Sequence, residues 1–197
     1  HAGGKFGGEG YKVSGGLHGV GISVVNALSA WMKAEVCRNG RLYRQTYKRG
    51  KPDGPVEEVG PAEGFGTRIT FCPDPEIFEN REFSMEILSA RLRELAFLNQ
   101  GVRIDLQDER VDKAVTFHYE GGIVSFVKHL NKTKEPLHNE VIYIKKTVDD
   151  NIIEVALQYN NGYVENVFSF ANNINTQEGG THLSGFRAAL TRTLNDY

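Results

Sequence analysis

The sequence predicts an α+β fold in which most strands pair antiparallel. Strand-like runs outnumber helical ones along the 197 residues, and they follow one another over short connections. The clearest connection is Asn39-Gly40, because this dipeptide between two such runs is the strongest short-range signal for a β-hairpin. Helical spacing of apolar residues appears in fewer segments. A chain of this length forms one large domain or two small ones.

The first half of the chain predicts two helices and five strands. A short, largely buried helix runs from Gly21 to Ser29, with Asn26 among apolar neighbours. Residues 49–66 carry glycine, proline and acidic side chains and predict a loop with one short strand. The second helix shows apolar residues at helical spacing: Met85, Leu88, Leu92, Leu95 and Phe97. The strands cover 31–38, 41–48, 67–72, 102–107 and 113–119.

The second half begins at Gly121-Gly122, which interrupts the pattern and predicts a boundary between domains 1–122 and 123–197. A helix over 123–131 is followed by three predicted strands near 140–147, 152–159 and 163–171. The last helix begins at about residue 181, with Thr181 as its N-cap. Its apolar face consists of Leu183, Phe186, Leu190 and Leu194.

Composition indicates a globular protein in a reducing compartment. Hydrophobic residues make up 40% and charged residues 24%, and no run approaches the roughly 18 apolar residues of a membrane span. Cys37 and Cys72 are the two cysteines, and their number and spacing predict neither a disulfide framework nor a zinc site. The first residues do not have the pattern of a secretory leader. We therefore expect a cytoplasmic protein without a membrane partner.

The charge balance argues against direct binding of duplex DNA by this chain. The chain has 23 basic and 25 acidic residues, for a net charge of −2, and no basic stripe. The chain starts without methionine, inside a glycine-rich stretch, and stops inside a predicted helix. We expect it to be a piece of a longer protein whose other regions make any DNA contact.

A glycine-rich segment before the first helix carries the chemistry. Nine of the first 21 residues are glycine, and Gly15-Gly16-Leu17-His18-Gly19-Val20-Gly21 leads directly into the helix. Glycines permit positive φ angles, and successive free N–H groups in such a turn form an anion site. A polyphosphate fits this geometry, whereas composition alone leaves a flexible linker as an equal alternative.

Two well-known phosphate-binding fingerprints do not fit. A Walker A loop needs Gly-Lys-Ser/Thr, and that tripeptide is absent from the sequence. The dinucleotide-binding fingerprint follows a strand, whereas these glycines follow another glycine-rich stretch. The segment therefore predicts neither a P-loop nor a Rossmann fold.

The literal motifs resemble the ATP lid of the GHKL ATPases, and the gyrase B family of type IIA DNA topoisomerases in particular. The blocks that carry the resemblance occur in the family's order along the chain. They are His1–Phe6, Gly15–Gly21, Ser23–Ser29, Arg91–Asn99, Phe117–Ile123, Gly179–His182 and Gly185–Ala189. The resemblance implies the C-terminal part of a GHKL ATP-binding sandwich over 1–122, then the start of a transducer domain over 123–197.

The resemblance also implies roles for individual residues. Gly3, Gly4 and Lys5 match the front of the ATP lid, and Tyr11 matches a lid residue near the nucleotide. The phosphate-binding turn is matched by Leu17, His18, Gly19, Val20 and Gly21, with His18 near the β- and γ-phosphates. Thr67 matches a threonine beside the adenine, and Arg38 an arginine at the pocket rim where aminocoumarin inhibitors dock.

Other parts of the family's machinery have no match in this sequence. The general-base glutamate, the adenine-binding aspartate and the asparagine that holds Mg²⁺ lie upstream in the family, and the lysine that reaches the γ-phosphate lies downstream. The resemblance thus implies one wall of an ATP site without catalytic residues, and we expect the isolated chain to be inactive. It further implies a heterotetramer with DNA gyrase A and self-dimerisation on ATP binding.

Three rival interpretations remain open at this point. The equivalent component of topoisomerase IV shares the lid and the Gly179–His182 block, although Phe117–Gly122 and Arg187–Ala189 favour gyrase B. A GHKL chaperone or signalling module would lack the blocks after residue 117. A non-enzymatic interaction domain would use the glycine segment only as a linker.

Overall fold

The structure of the chain is a computed structural model that describes residues 19–149 and 151–197. The chain divides into two compact units, His1–Glu82 and Phe83–Tyr197. The described residues form four helices and eleven strands, and all named strand pairs are antiparallel. The predicted α+β class is confirmed, while the boundary after residue 122 stays a prediction.

The first unit holds one helix and a five-stranded sheet in the order β3-β2-β1-β5, with β4 also paired to β2. Strand β1 is central, between β2 and β5. The elements are α1 (Gly21–Ala27), β1 (Ser29–Arg38), β2 (Arg41–Lys48), β3 (Lys51–Pro52), β4 (Glu57–Pro61) and β5 (Gly66–Pro73).

The predicted hairpin is confirmed, and the structure shows the type of its turn. Asn39 and Gly40 have φ angles of 53° and 72°, and Arg38 pairs with Arg41 across the turn. Positive φ at both central residues defines a type I′ turn, whose twist matches that of the flanking strands. The predicted loop over 49–66 contains two short strands rather than one. Both add to the outer edge of β2, where proline is tolerated because no further strand needs its N–H.

The two faces of this sheet differ in chemistry. Residues opposite one another in an antiparallel pair share a face, so Ala34 lies with Ile69 and Met32 with Phe71 on an apolar face. On the opposite face the buried Glu35 carboxylate accepts hydrogen bonds from Arg44 Nε at 3.1 Å and Nη2 at 3.0 Å. These bonds hold the pKa of Glu35 below its ordinary value.

The second unit packs helices against three separate two-stranded ribbons, β6–β7, β8–β9 and β10–β11. Its core lies where α2 contacts α3, β6 and β7, and Phe97 and Phe117 are each 1% exposed there. The helices are α2 (Met85–Leu98), α3 (Gly122–Leu130) and α4 (Thr181–Asp196). The strands are β6 (Arg103–Asp108), β7 (Lys113–His118), β8 (Ile142–Val148), β9 (Asn151–Leu157), β10 (Phe170–Ala171) and β11 (Ile174–Asn175).

The prediction of a largely buried first helix was wrong. Ile22 is 36% and Val24 48% exposed, and the one buried residue of α1 is the polar Asn26. Apolar spacing signals a helix but does not reveal how much of it is covered. Within this unit α1 packs on β1. The residue of α1 that is buried is Asn26, whose side chain donates a hydrogen bond to the carbonyl of Gly50.

The predicted strand over 163–171 was also wrong for most of its length. Only Phe170–Ala171 forms a strand, which turns through Asn172 and Asn173 at positive φ and pairs with Ile174–Asn175. The residues before it pair with no strand of the described chain. Strand propensity measures fit to a half-buried pleated surface, and Tyr163 and Val164 lack one, since they are 105% and 73% exposed.

The predicted N-cap of the last helix is displaced by one residue. Gly180 is the N-cap, with φ at 148°, and Thr181 is the first helical residue. A side chain at position 180 would meet the His182 ring at 2.9 Å, which explains why glycine occupies the cap.

Candidate functional site

The described part of the predicted phosphate turn consists of Gly19, Val20 and Gly21. Gly19 is buried and has φ at 63°, in the left-handed region that favours glycine. Val20 is the N-cap of α1, and Val24 N–H donates to its carbonyl at 2.9 Å. N–H groups at the start of a helix have no carbonyl within the helix to bond. The first turn contains no acidic side chain that would repel an anion there.

The remaining residues predicted for the lid and turn lie outside the described residues. They are Gly3, Gly4, Lys5, Tyr11, Leu17 and His18.

Two side chains fix the C-terminal end of α1. Asn26 Nδ2 donates to the carbonyl of Gly50 at 3.4 Å. Ser29, which is 1% exposed, donates from Oγ to the carbonyl of Val25 at 2.6 Å. Gly50 lies so close to the helix that a Cβ there would be 3.3 Å from Ala27 Cα. The helix that carries the predicted turn is thus anchored at its far end.

Thr67 and Arg38 lie together at one end of the sheet. Thr67 is the register partner of Val36, and Arg38 follows Val36 by two residues, so all three share the apolar face. Ile69 is next along β5 on the same face. The resulting surface has aliphatic side chains, a hydroxyl and a guanidinium, which suits a planar heterocycle with polar edges.

The structure therefore places Thr67 and Arg38 on one face of the sheet, whereas Gly19, Val20 and Gly21 lie at the start of α1. Strand β1, ten residues long, runs from the junction with α1 at Ser29 to Arg38. The sequence alone could not give the shared face of Thr67 and Arg38, because it depends on the register between β1 and β5. The roles of these five residues stay predictions.

Sequence reasoning missed an ion pair with a buried carboxylate beside the α1–β1 junction. The Asp74 side chain is 2% exposed, and its Oδ2 accepts a hydrogen bond from Arg49 Nε at 2.7 Å. The Asp74 N–H donates to the carbonyl of Leu28, the C-cap of α1, at 3.1 Å. The one sequence signal was an aspartate between Pro73 and Pro75, which indicates a turn but not its arginine partner.

Two further features bear on possible ligands. Within residues 19–149 and 151–197, no group of three or more His, Cys, Asp or Glu side chains could hold a metal ion. A groove of about 280 Å³ in the second unit lies between α2 and the β10–β11 ribbon, and no predicted site residue lines it. None of the helices in the described parts of the chain is long and apolar enough to cross a membrane.

Comparison with known proteins identifies the relatives of this chain. The family model for DNA gyrase B matches residues 122–197. DNA gyrase B of Clostridium acetobutylicum is 60% identical over 198 residues, which cover 100% of this chain and 31% of that protein. DNA gyrase B of Halalkalibacterium halodurans is 56% identical over 199 residues, again covering 100% of this chain and 31% of the relative.

The solved structures that this chain resembles are also of gyrase B proteins. The 43K ATPase domain of Thermus thermophilus gyrase B, in complex with an aminocoumarin, has a TM-score of 0.81 and 41% identity. The match covers 91% of this chain and 50% of that one. DNA gyrase B of Myxococcus xanthus also has a TM-score of 0.81, with 31% identity over 86% of this chain and 50% of its own.

The resemblance to the gyrase B family is therefore confirmed along the entire chain: the chain belongs to this family, and the fold is that of gyrase B ATPase domains. The chain spans 31% of the length of the curated relatives named above. It corresponds to a part of these longer proteins, and it includes the segment with the predicted phosphate turn.

Proposed function

We propose that this chain is the ATP-binding part of a type IIA DNA topoisomerase of the gyrase B kind. The whole protein would couple ATP binding and hydrolysis to negative supercoiling of DNA. The observation that carries the proposal is 60% identity to a gyrase B protein along 100% of the chain, including the phosphate turn. The positive φ of Gly19 supports it, because the turn needs glycine at that point.

The nucleotide would lie against the segments described above. The lid would be formed by Gly3, Gly4, Lys5 and Tyr11, and the phosphates would meet Leu17, His18, Gly19, Val20 and Gly21. The adenine would lie on the apolar face beside Thr67, with Val36 and Ile69 supporting the ring. Arg38, at the open end of this face, would form the rim of the pocket. The aminocoumarin bound to the Thermus thermophilus relative is consistent with such a rim.

Chemistry at the phosphates would require groups outside this chain. The resemblance assigns the general base, the Mg²⁺ ligands and the lysine that contacts the γ-phosphate to other parts of the protein. Mg²⁺ would neutralise phosphate charge when bound. The contribution of this chain is binding: backbone donors for the phosphates and an apolar face for the base.

The nucleotide would act as a switch in the complete protein. Phosphate contacts to a glycine-rich lid offset the roughly 1–2 kcal/mol per residue that ordering a backbone costs. An ordered lid would then favour self-dimerisation and capture of a DNA segment. We place the complete protein in the cytoplasm, in a heterotetramer with two copies of DNA gyrase A. The net charge of −2 is consistent with DNA contacts made elsewhere.

The test uses the complete gene, expressed with its gyrase A partner, on relaxed plasmid with and without ATP. ATP-dependent negative supercoiling is expected, and His18→Ala should abolish it. His118→Ala is the matched control, because His118 is an exposed histidine on β7 whose Nε2 lies 2.9 Å from the Glu120 carboxylate. Relaxation or decatenation without supercoiling would move the assignment to topoisomerase IV, and no topological change would overturn the proposal.

A second measurement tests the division of labour between this chain and the rest of the protein. We expect isothermal calorimetry to detect no ATP binding to the 197-residue chain, because the adenine-binding aspartate and the Mg²⁺ ligand are missing. Micromolar affinity would contradict this expectation and would place the whole binding site within these residues.

A further inference from the structure

Two segments of the first unit contact the junction between α1 and β1. The Asp74 N–H, from the end of β5, donates to the carbonyl of Leu28 at 3.1 Å. The Arg49 N–H, from the turn between β2 and β3, donates to the carbonyl of Ala30 at 3.3 Å. The carbonyl of Gly50 accepts from Asn26 Nδ2 at 3.4 Å. Backbone groups from two distant segments thus hold the point where the helix becomes a strand.

An ion pair joins those two segments to each other. The Asp74 carboxylate accepts from Arg49 Nε at 2.7 Å and from the Glu76 N–H at 3.0 Å. The Glu76 carboxylate also pairs with the Arg49 guanidinium. The Glu76 N–H and the guanidinium lower the pKa of Asp74 against the opposing effect of burial, so the buried group stays charged and bonded.

Arg49 is the first of the two central residues in the turn between β2 and β3, where Lys48 pairs with Lys51. Its φ is 45°, in the left-handed region that a residue with a long side chain seldom occupies. Gly50, the second central residue, has φ at 79°, so the turn is of type I′, which accounts for the conformation of Arg49. The contacts of Arg49 are the Ala30 carbonyl and the two carboxylates.

A small rotation of α1 about its C-terminal end would displace the predicted phosphate turn at its start. A helix of seven residues is about 10 Å long, so a 10° rotation at its base moves its first residue by about 2 Å. Displacements of about 1 Å in positioning elements can cost roughly a hundredfold in rate. Because α1 is anchored at its C-terminal end, any looseness of that end is transmitted to the start of the helix.

We infer that Arg49 and Asp74 are positioning residues for nucleotide binding, which set the orientation of α1 and hence the location of the phosphate turn. The inference rests on the proposed function. Neither residue need touch the nucleotide, since both act through the carbonyls of Leu28 and Ala30. The competing interpretation is an ion pair that only stabilises one corner of the sheet.

The test measures steady-state ATP hydrolysis by the complete protein with its gyrase A partner. We expect Asp74→Asn to raise the ATP concentration for half-maximal rate by about tenfold or more, because the turn is displaced. A purely structural loss would reduce the amount of active protein and would leave that concentration unchanged. Asp53→Asn is the matched control: Asp53 pairs with the exposed Lys48 at 2.9 Å in the same sheet, and its N–H donates to the carbonyl of Thr46 rather than to a residue of the α1–β1 junction.

Two further variants make the result decisive. Arg49→Lys keeps the charge and should restore most of the affinity, whereas Arg49→Gln should behave like Asp74→Asn. The Arg49 side chain is 53% exposed, so its replacement disturbs the interior less than that of Asp74. Arg49→Gln therefore tests the inference if Asp74→Asn does not fold. A half-saturating ATP concentration within twofold of wild type in the folded variants would overturn the inference. Absence of ATP hydrolysis in the wild-type protein would instead overturn the proposed function.

Discussion

The ring of Phe97 stacks on that of Tyr119, with centroids 3.7 Å apart and planes 17° from parallel. On another side Phe97 meets Phe126 of α3 at 5.1 Å and the His129 ring at 5.4 Å. The buried ring of Phe97, on helix α2, therefore packs against both the segment after β7 and helix α3. Two sequence blocks that carry the family resemblance, Arg91–Asn99 and Phe117–Ile123, meet at this ring.

Removing this ring should loosen the second unit. We expect Phe97→Ala to lower its free energy of unfolding by about 3–5 kcal/mol, because a fully buried ring leaves a cavity. The measurement is pulse proteolysis of the complete protein in urea, reported by peptides from residues 83–197. Ile87→Ala on the same helix is the control, since Ile87 is 66% exposed and should change stability by about 0.5 kcal/mol or less. Equal effects of the two variants would contradict the assignment of the core.

The stability of the same region should fall in mild acid because of His129. Its partial burial, followed by the positive charges of Arg93 and Lys132, lowers its pKa from the ordinary 6.5. The unfolded chain therefore binds a proton more readily than the folded one, and stability is lost as the pH falls from about 6.5 towards the lowered value. Above pH 6.5 the ring is neutral in both states and has no such effect.

The variant His129→Gln isolates this contribution. Urea midpoints from the same peptides, measured at pH 7.5 and pH 5.5, should decrease less in His129→Gln than in the wild type. An identical decrease in both proteins would show that His129 does not cause the acid sensitivity.

His138 should exist as a single tautomer. Its Nδ1 lies 2.6 Å from the carbonyl of Glu140, an acceptor, so Nδ1 carries the proton. Its Nε2 lies 3.0 Å from the N–H of Tyr159, a donor, so Nε2 presents a lone pair. Two-bond ¹H–¹⁵N correlation spectra of the ring should therefore report protonated Nδ1 and unprotonated Nε2. Protonation at Nε2 would contradict the geometry of this connection between the α3–β8 loop and the end of β9.

Two glycine-to-alanine substitutions should change stability in opposite directions. Gly40 has φ at 72°, so Gly40→Ala should cost about 1–2 kcal/mol in the first unit even though a Cβ would meet nothing within 4 Å. Gly185 lies inside α4 with equally open space, and Gly185→Ala should stabilise that helix by about 0.5–1 kcal/mol. Peptide-resolved hydrogen exchange over 29–48 and 181–196 measures both effects. Protection of β1–β2 that survives Gly40→Ala would rule out the type I′ turn as a requirement.

Much of the fold could be predicted from sequence because its signals are local. Helix α2 follows from apolar residues three and four positions apart, and the β1–β2 hairpin follows from the need for positive φ at Asn39 and Gly40. The strand over 163–171 was mispredicted because a strand requires a partner, and local composition does not reveal whether one is present.

The candidate site, too, could be predicted from the sequence only in part. The glycine-rich motif predicted the turn at Gly19, Val20 and Gly21 from the sequence, and the residues before it lie outside the described structure. That Thr67 shares a face with Arg38 depends on the β1–β5 register, which a shift of one residue would reverse.

The sequence by itself determined the family resemblance, the α+β class, the hairpin and the composition of the phosphate turn, since each can be recognised from short stretches of the chain without knowing how they pack. Only the tertiary structure decided that Asn26 would be the buried residue of α1 and that Arg49 would bond Asp74. The same holds for Phe97 and Tyr119. Each of these contacts joins residues more than twenty positions apart, and burial and charge pairing depend on where the backbone has brought the two side chains.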